Sequence, residues 1–224
     1  MYHYISVPPD DADAIRRDLS VPPDIFEQEM RLLYEQGYQT IQLRDLVNYF
    51  ETGAPLPPKP IVLTFDDGYA DQYINVFPTL KDYGFTGTFF IITQFADMQA
   101  NGYMTWEQIQ ELATNGMEIG THTLDHRANL ARLNVNTQRR AIQPARDALQ
   151  KYVPYVLPVF AYPAGSYDHT TLDLLQELGY AAAVTTRQGV LQSSAQPFEL
   201  KRVRVRGAWN ISQFVYWLEY WQKR

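Results

Sequence analysis

Pro60-Ile61-Val62-Leu63-Thr64-Phe65-Asp66-Asp67-Gly68 reads as a buried strand that runs out into two adjacent carboxylates and a glycine. The apolar run has the length and branching of a strand covered on both faces. A second stretch, His122-Thr123-Leu124-Asp125-His126, follows the apolar run Met117-Glu118-Ile119-Gly120 and offers two imidazoles four residues apart. Two histidines and one carboxylate are a ligand set that divalent zinc or a similar first-row metal accepts, with one coordination position left for water. Only one of the two aspartates is then spent on the metal, and the other is free to act as a base. The pairing points to a hydrolase more than to a binding module.

Working outward, apolar runs alternate with helical patterns. Strand candidates fall at residues 2–5, 40–43, 61–65, 87–93, 117–121, 157–162, 181–185 and 203–205. Between them, residues 25–36 carry Phe26, Met30, Leu33 and Tyr34 on one helical face and stop at Gly37. Residues 71–83 carry Ile74, Phe77 and Leu80, with Gly84 as a stop. Residues 105–115 carry Trp106, Ile109, Leu112 and Ala113, capped by Thr105 and closed by Gly116. Asp168 is placed to cap residues 170–178, which end at Gly179. Repeated βα units predict a parallel sheet, and this many in 224 residues predict one domain, 1–224, closed into a barrel. The run Pro55-Leu56-Pro57-Pro58-Lys59-Pro60 reads as a stiff connection inside that domain. In such a barrel Asp66, Asp67, His122 and the segment Pro163-Ala164-Gly165 all follow the ends of their strands, where active sites form.

Composition narrows the function. With 46% hydrophobic residues the chain can bury a sizeable core. A net charge of −6 argues against nucleic acid, which demands a basic footprint. No apolar run is long enough to span a membrane. The absence of cysteine excludes disulfides, iron–sulfur clusters and thiolate zinc.

Three of these segments carry a family resemblance. TFDDG at 64–68, HTLDH at 122–126 and FAYPAG at 160–165 look like the first three motifs of the polysaccharide deacetylases, the NodB-homology group of carbohydrate esterase family 4. Met1-Tyr2-His3-Tyr4-Ile5, Met104-Thr105-Trp106-Glu107 and Leu200-Lys201-Arg202-Val203 make the chain most similar to the branch that deacetylates poly-β-1,6-N-acetylglucosamine of biofilm matrix. The resemblance implies an α/β fold, a distorted (β/α) barrel of about seven parallel strands. It also implies a zinc ion, with cobalt, nickel or manganese as substitutes, held by Asp67, His122 and His126. Asp66 would be the base. A backbone N–H around Ala164 would help hold the oxyanion, with Tyr162, Pro163, Gly165 and Trp209 shaping the substrate site. The partner implied is an N-acetylated polysaccharide, and the location extracellular or at the cell envelope.

The chain departs from the family pattern in three places. No histidine follows His169, so the usual C-terminal acid is missing; the biofilm branch fills that role from an N-terminal Tyr-His-Tyr strand, which makes His3 the candidate acid. Many relatives have an arginine where this chain has Ala161, and Arg202 is the candidate that restores its charge to the base. Ala164 stands where an aromatic is common, so a wall of the sugar pocket is smaller. Only two residues precede His3, which suggests that the natural protein is longer, with an export signal or membrane anchor ahead of this domain.

Blander readings compete with each assignment. Asp-Asp-Gly alone is often a turn after a strand, and an HxxxH pair is commonly a solvated helix face; here the Glu of the zinc-peptidase pattern is absent. His3 would also serve as a hydrogen-bonded histidine in the first strand, and His169 reads as a surface residue beside a helix cap. Arg202 and Arg204 alternate with Val203 and Val205, so in the blander reading one of these pairs would simply face solvent on an edge strand. Phe214, Trp217, Leu218 and Trp221 fall at helical spacing and read as packing on the barrel; Tyr162, Tyr167 and Trp209 are the candidates for pocket walls. Peptidoglycan- or chitin-type deacetylation, hydrolysis of a small amide, and a catalytically dead sugar-binding relative are the competing functions.

Overall fold

The computed structural model describes residues 1–153 and 158–222. Its first half supplies α1 (Ala14–Asp18), α2 (Pro23–Glu35), β1 (Gln39–Thr40), α3 (Leu43–Thr52), β2 (Pro60–Ile61), β3 (Thr64–Phe65), a π-helical turn (Gln72–Val76) running into α4 (Phe77–Asp82), β4 (Thr88–Ile91) and α5 (Thr93–Asp97). The second half adds α6 (Trp106–Thr114), β5 (Glu118–Thr121), α7 (Val135–Tyr152), β6 (Val159–Ala161), α8 (His169–Glu177), β7 (Ala182–Gln188), β8 (Leu200–Arg202) and α9 (Ile211–Gln222). Strands β3 to β8 pair in chain order, all parallel, and β1 pairs with β2 in a separate two-stranded sheet. Sequential parallel neighbours joined by helices are what the repeated βα pattern predicts.

The expected seven strands are six in the main sheet, and the N-terminal segment takes the seventh place. Tyr2 bridges Phe65 in parallel, its N–H donating to Thr64 O (2.8 Å) and its carbonyl accepting from Asp66 N (3.0 Å). On the other side Met1 N donates to Val203 O (2.8 Å), and Val205 N donates to Met1 O (3.1 Å). Two residues thus stitch β3 to the chain just past β8 and close a distorted β/α barrel.

Burial follows chemistry. Thr88–Ile91 and Glu118–Thr121 are buried at every position, as strands covered on both faces require. Phe26, Phe65, Phe89 and Ile119 fill the main core, and Tyr2 packs edge-on to Phe26 at 5.3 Å. Gly120 allows the close approach of β4 and β6: a Cβ there would lie 2.7 Å from the Phe90 ring and 2.8 Å from Val159 O.

Several sequence-based boundaries shift. Residues 61–65 are two short strands in different sheets, not one. The strand expected at 40–43 stops at Thr40, because Leu43 begins α3 with its N–H bound to Glu118 Oε2 at 2.8 Å. The last strand is Leu200–Arg202 instead of 203–205. Leu157, the expected start of the sixth strand, lies outside the described residues. The helices α3 and α7 had no counterpart among the expected elements. Phe214 is buried and Leu218 packs against the main core, as the helical spacing of the aromatic C-terminus predicts.

Candidate active site and metal centre

Asp66 and Asp67 leave the end of β3, His122 and His126 follow β5, and Pro163-Ala164-Gly165 follow β6. The chain is bent hard at this rim. Of the six non-glycine residues with positive φ among those described, four are here: Asp67 (75°), Thr123 (64°), His126 (53°) and Ala164 (51°). Each such conformation costs on the order of 1–3 kcal/mol, and clusters of them mark functional sites.

Asp67 Oδ1 lies 3.3 Å from His122 Nε2 and 3.6 Å from His126 Nε2. One ligand atom from each of the three residues falls within 4.8 Å of the others. His122 is fixed by its far nitrogen, Nδ1 pairing with Ala161 O at 2.8 Å, which leaves Nε2 aimed at Asp67. Asp67 Oδ1 is buried and has no hydrogen-bond partner. Such an oxygen is costly unless a cation meets it. The donor set, the anchored imidazole and the orphaned carboxylate oxygen therefore fit a divalent metal. In the protein alone, burial opposes charge on His122, but the Asp67 carboxylate beside its Nε2 raises the imidazole pKa; Asp67 itself is held below the usual carboxylate range despite its burial.

Asp66 is 2% exposed and gripped by a guanidinium from the far end of the chain. Arg202 Nη1 donates to Oδ1 at 2.6 Å and Nη2 to Oδ2 at 2.8 Å, while its Nε holds Thr185 O at 2.9 Å. Burial alone would raise the Asp66 pKa; Arg202 overrides it and keeps the carboxylate ionised well below the ordinary range. The charge missing at Ala161 thus arrives from β8. Arg204 points away, toward Asp18 at 3.8 Å.

His3 Nε2 stands 3.9 Å from Asp66 Oδ2. Burial pushes the imidazole down to about 4, against the pull of Asp66 and Asp67. The ring is therefore neutral at pH 7. Gln72, in the π-helical turn, ties the two together: its Nε2 donates to His3 O (2.8 Å) and to Asp66 O (2.6 Å). Sequence reasoning missed Gln72, a polar residue inside an apparent amphipathic helix. π-turns within helices recur at functional sites, and this one turns Gln72 back onto the main-chain carbonyls of His3 and Asp66.

Other expected positions divide. Ala164 is exposed at the rim, next to buried Pro163. Gly165 (φ +71°) accepts no side chain, because a Cβ would meet Thr186 Oγ1 at 2.0 Å. Tyr162 is not a pocket wall: its side chain is fully buried, with its hydroxyl donating to Phe198 O at 2.9 Å. Tyr162, the residue after β6, packs with Leu174 and Leu175 of α8 and has no route to the rim. Tyr167 stacks on Tyr162 at 4.5 Å and donates to Glu199. Trp209 is also displaced from its expected role. It stacks on Trp217 of α9 at 5.8 Å and lines an apolar cavity of about 350 Å³ with Leu46, Leu56 and Trp221. Aromatic surface there is satisfied by aromatic neighbours. A row of rings, Tyr4 of the Tyr-His-Tyr segment with Tyr69 and Tyr103, which the sequence reading did not single out, stands within electrostatic reach of Asp67 instead.

Comparison with known proteins agrees with this geometry. The family model described as polysaccharide deacetylase matches residues 53–183, which include Asp66, Asp67, His122 and His126 but neither His3 nor Arg202. YxkH of Bacillus subtilis (strain 168) is 31% identical over 98% of this chain and 75% of its own length. The poly-β-1,6-N-acetyl-D-glucosamine N-deacetylase of Escherichia coli (strain K12) is 24% identical over 92% of this chain and 36% of its own. The structure of Streptococcus pyogenes deacetylase PplD in complex with acetate superposes with a TM-score of 0.88 at 28% identity, covering 96% of this chain and 94% of that one. The chain belongs to the polysaccharide deacetylase family of hydrolases.

Proposed function

We propose that the enzyme removes acetyl groups from N-acetylglucosamine units of a polysaccharide, with poly-β-1,6-N-acetylglucosamine as the substrate, in a reaction that depends on zinc held by Asp67, His122 and His126. When bound, a divalent metal supplies Lewis-acid polarisation of the acetamide carbonyl and makes water more acidic. The remaining work belongs to the chain. Asp66, kept ionised by Arg202, accepts the proton of the water whose oxygen adds to the carbonyl carbon. The N–H of Ala164 donates to the carbonyl oxygen as it gains charge. The carbon–nitrogen bond then breaks, and the nitrogen needs a proton because an amine leaves badly as an anion. His3, neutral at rest, becomes the acid by taking up the proton released by the attacking water, relayed from Asp66 through a bridging water because 3.9 Å is beyond a direct hydrogen bond, and hands it to the nitrogen. Acetate and a free amine result.

The observation that carries this reading is the bidentate Arg202–Asp66 pair beside the two-histidine, one-carboxylate cluster. The β-1,6 linkage rests on His3 at the N-terminal strand and on the similarity to the Escherichia coli enzyme. A biofilm polymer lies outside the cytoplasm, so we place the action at the cell envelope or beyond it. The test compares acetate release from β-1,6 oligomers, β-1,4 chitin oligomers and acetylated xylan. A tenfold preference for either of the last two would remove the β-1,6 assignment and leave the deacetylase chemistry standing.

A further inference from the structure

The aromatic row beside the metal ligands is not used by the chemistry above. Tyr4 and Tyr69 lie face to face, ring centroids 3.7 Å apart and 19° from parallel. Tyr69 meets Tyr103 at 5.2 Å, and Tyr103 meets Phe95 at 4.2 Å. Over the other face of Tyr4 sits the guanidinium of Arg16, 3.0 Å from the ring centroid. Arg16 Nη2 in turn donates to Ser6 Oγ (3.3 Å), whose hydroxyl donates to Asp71 Oδ2 (2.6 Å).

Three distant pieces of chain build this row, and each is tied to the catalytic groups. Tyr4 follows His3 directly, and Tyr69 comes two residues after Asp67. Tyr103 is zipped to the Asp-Asp-Gly loop: it forms an antiparallel bridge with Tyr69, Met104 N donates to Gly68 O, and Ala70 N donates to Gly102 O, both at 2.9 Å. The row is therefore rigid with respect to the metal ligands. It is also within their electrostatic reach: burial raises the phenol pKa of all three tyrosines, and the negative charge of Asp67 adds to it in each.

A stack that served only packing would be buried. Tyr4, Tyr69, Tyr103 and Phe95 are all partly exposed. Tyr4 and Tyr69 cover one another's faces with Arg16 over the far side of Tyr4, and the phenols hydrogen-bond along the row, so the row sets ring carbon and phenol oxygen side by side. A sugar unit has the same mixture, C–H surface interleaved with hydroxyl groups, and each phenol both donates and accepts. We propose that Tyr4, Tyr69 and Tyr103, braced by Arg16, form the wall of the substrate groove that grips the sugar unit adjoining the one being deacetylated. Arg16 is a positioning residue, acting through Tyr4. The inference rests on the polysaccharide reading above, and it assigns to these residues the extra binding that a chain provides over a single sugar.

The experiment is acetate release from N-acetylglucosamine oligomers of two to five units, with KM and kcat read separately. Tyr69→Phe removes one oxygen, Tyr103→Leu removes a ring, and Arg16→Met and Arg16→Lys separate shape from charge. We expect kcat/KM on the pentamer to fall roughly tenfold for Tyr103→Leu and Arg16→Met, the worth of one good contact. Most of the loss should appear in KM, with a smaller loss on the dimer and partial recovery in Arg16→Lys. Equal losses on dimer and pentamer, or an unmoved KM, would overturn the wall. Should Tyr103→Leu fail to fold, by its melting temperature and zinc stoichiometry, Tyr103→Phe and Tyr69→Phe carry the same comparison. Wild-type enzyme that releases no acetate from any oligomer would defeat the polysaccharide reading, and the groove with it; an active wild type whose variants match it defeats the groove alone.

Discussion

Asp66 is a carboxylate whose usefulness is set by one neighbour. Replacing Asp66 with asparagine keeps the shape and removes the base, so kcat should drop by about two to four orders of magnitude. Zinc should still bind, because the ligands are untouched; steady-state kinetics with a metal titration decides it, and a fully active variant would end the mechanism. Arg202→Met strands a buried anion, a change that costs about 3–5 kcal/mol when one partner of a buried pair is lost. Denaturant unfolding should show that loss, and a midpoint within error of wild type would mean that the pair is not holding Asp66. Glu29 is the opposite case. It is fully buried, receives one hydrogen bond from Tyr2 (2.9 Å), and is pushed by burial up to about 8. A carboxyl whose folded pKa lies above its unfolded value of 4.5 binds its proton more tightly when folded. Its stabilising share is complete below pH 4.5 and is lost as the pH climbs to 8, at a rate of up to about 1.4 kcal/mol per pH unit. Glu29→Gln should therefore gain on wild type as pH rises from 4.5 to 8, read by urea melts across that range; parallel profiles would show that Glu29 does not titrate there. Both carboxylates look alike in the sequence. Asp66 was legible because Asp67 and two histidines frame it, whereas Glu29 sits on an ordinary amphipathic helix and only the fold reveals what surrounds it.

At the scale of elements, α3 shows why some helices escaped sequence reading. Its start is decided by Glu118 on β5, which accepts from Leu43 N (2.8 Å), Arg44 N (3.0 Å) and Thr88 Oγ1 (2.6 Å). Part of this cap comes from 75 residues away, and the part written locally, Gln42 N donating to Asp45 Oδ2 (2.9 Å), lacks the Ser, Thr, Asp or Asn that usually marks a helix start, so Leu43 reads as a strand end. Helix α7 escaped for another reason. Ala141 and Ala145 carry much of its buried face and Pro144 lies inside it, so the stretch is polar on the whole and looks interrupted, although its buried residues keep helical spacing. By contrast α6 was legible end to end, with Thr105 accepting from Gln108 N and Gln108 returning the bond, a reciprocal cap written in adjacent residues. Glu118→Ala should cost at least about 2 kcal/mol, since it uncaps α3 and leaves buried donors unpaired. Hydrogen exchange should locate the loss at the first turn of α3; unchanged protection there would refute the cap.

For the whole molecule, the barrel and the metal cluster were readable because βα repetition and motif spacing are local. Closure was not, since it depends on backbone pairing between Met1–Tyr2 and residues past β8. The metal should contribute to global stability as well as to rate, because its ligands come from two strands whose ends carry strained residues. Dialysis against a chelator should lower the melting temperature and abolish activity, and zinc should restore both. A free zinc concentration a hundredfold above Kd adds about 2.7 kcal/mol by mass action. Activity that survives complete removal of zinc would refute the metal assignment.

The pairing of Asp66 with Arg202, 136 residues apart, has a consequence for synthesis. A nascent chain exposes Asp66 early and must wait for β8 to emerge before a guanidinium reaches it. Until then the carboxylate cannot be buried at low cost, and the first strands have no partner on their open edge. Closing such a ring is a long-range event, slow by the ordinary relation between sequence separation and folding rate. Asp66 therefore acquires its charge partner only as the ring shuts.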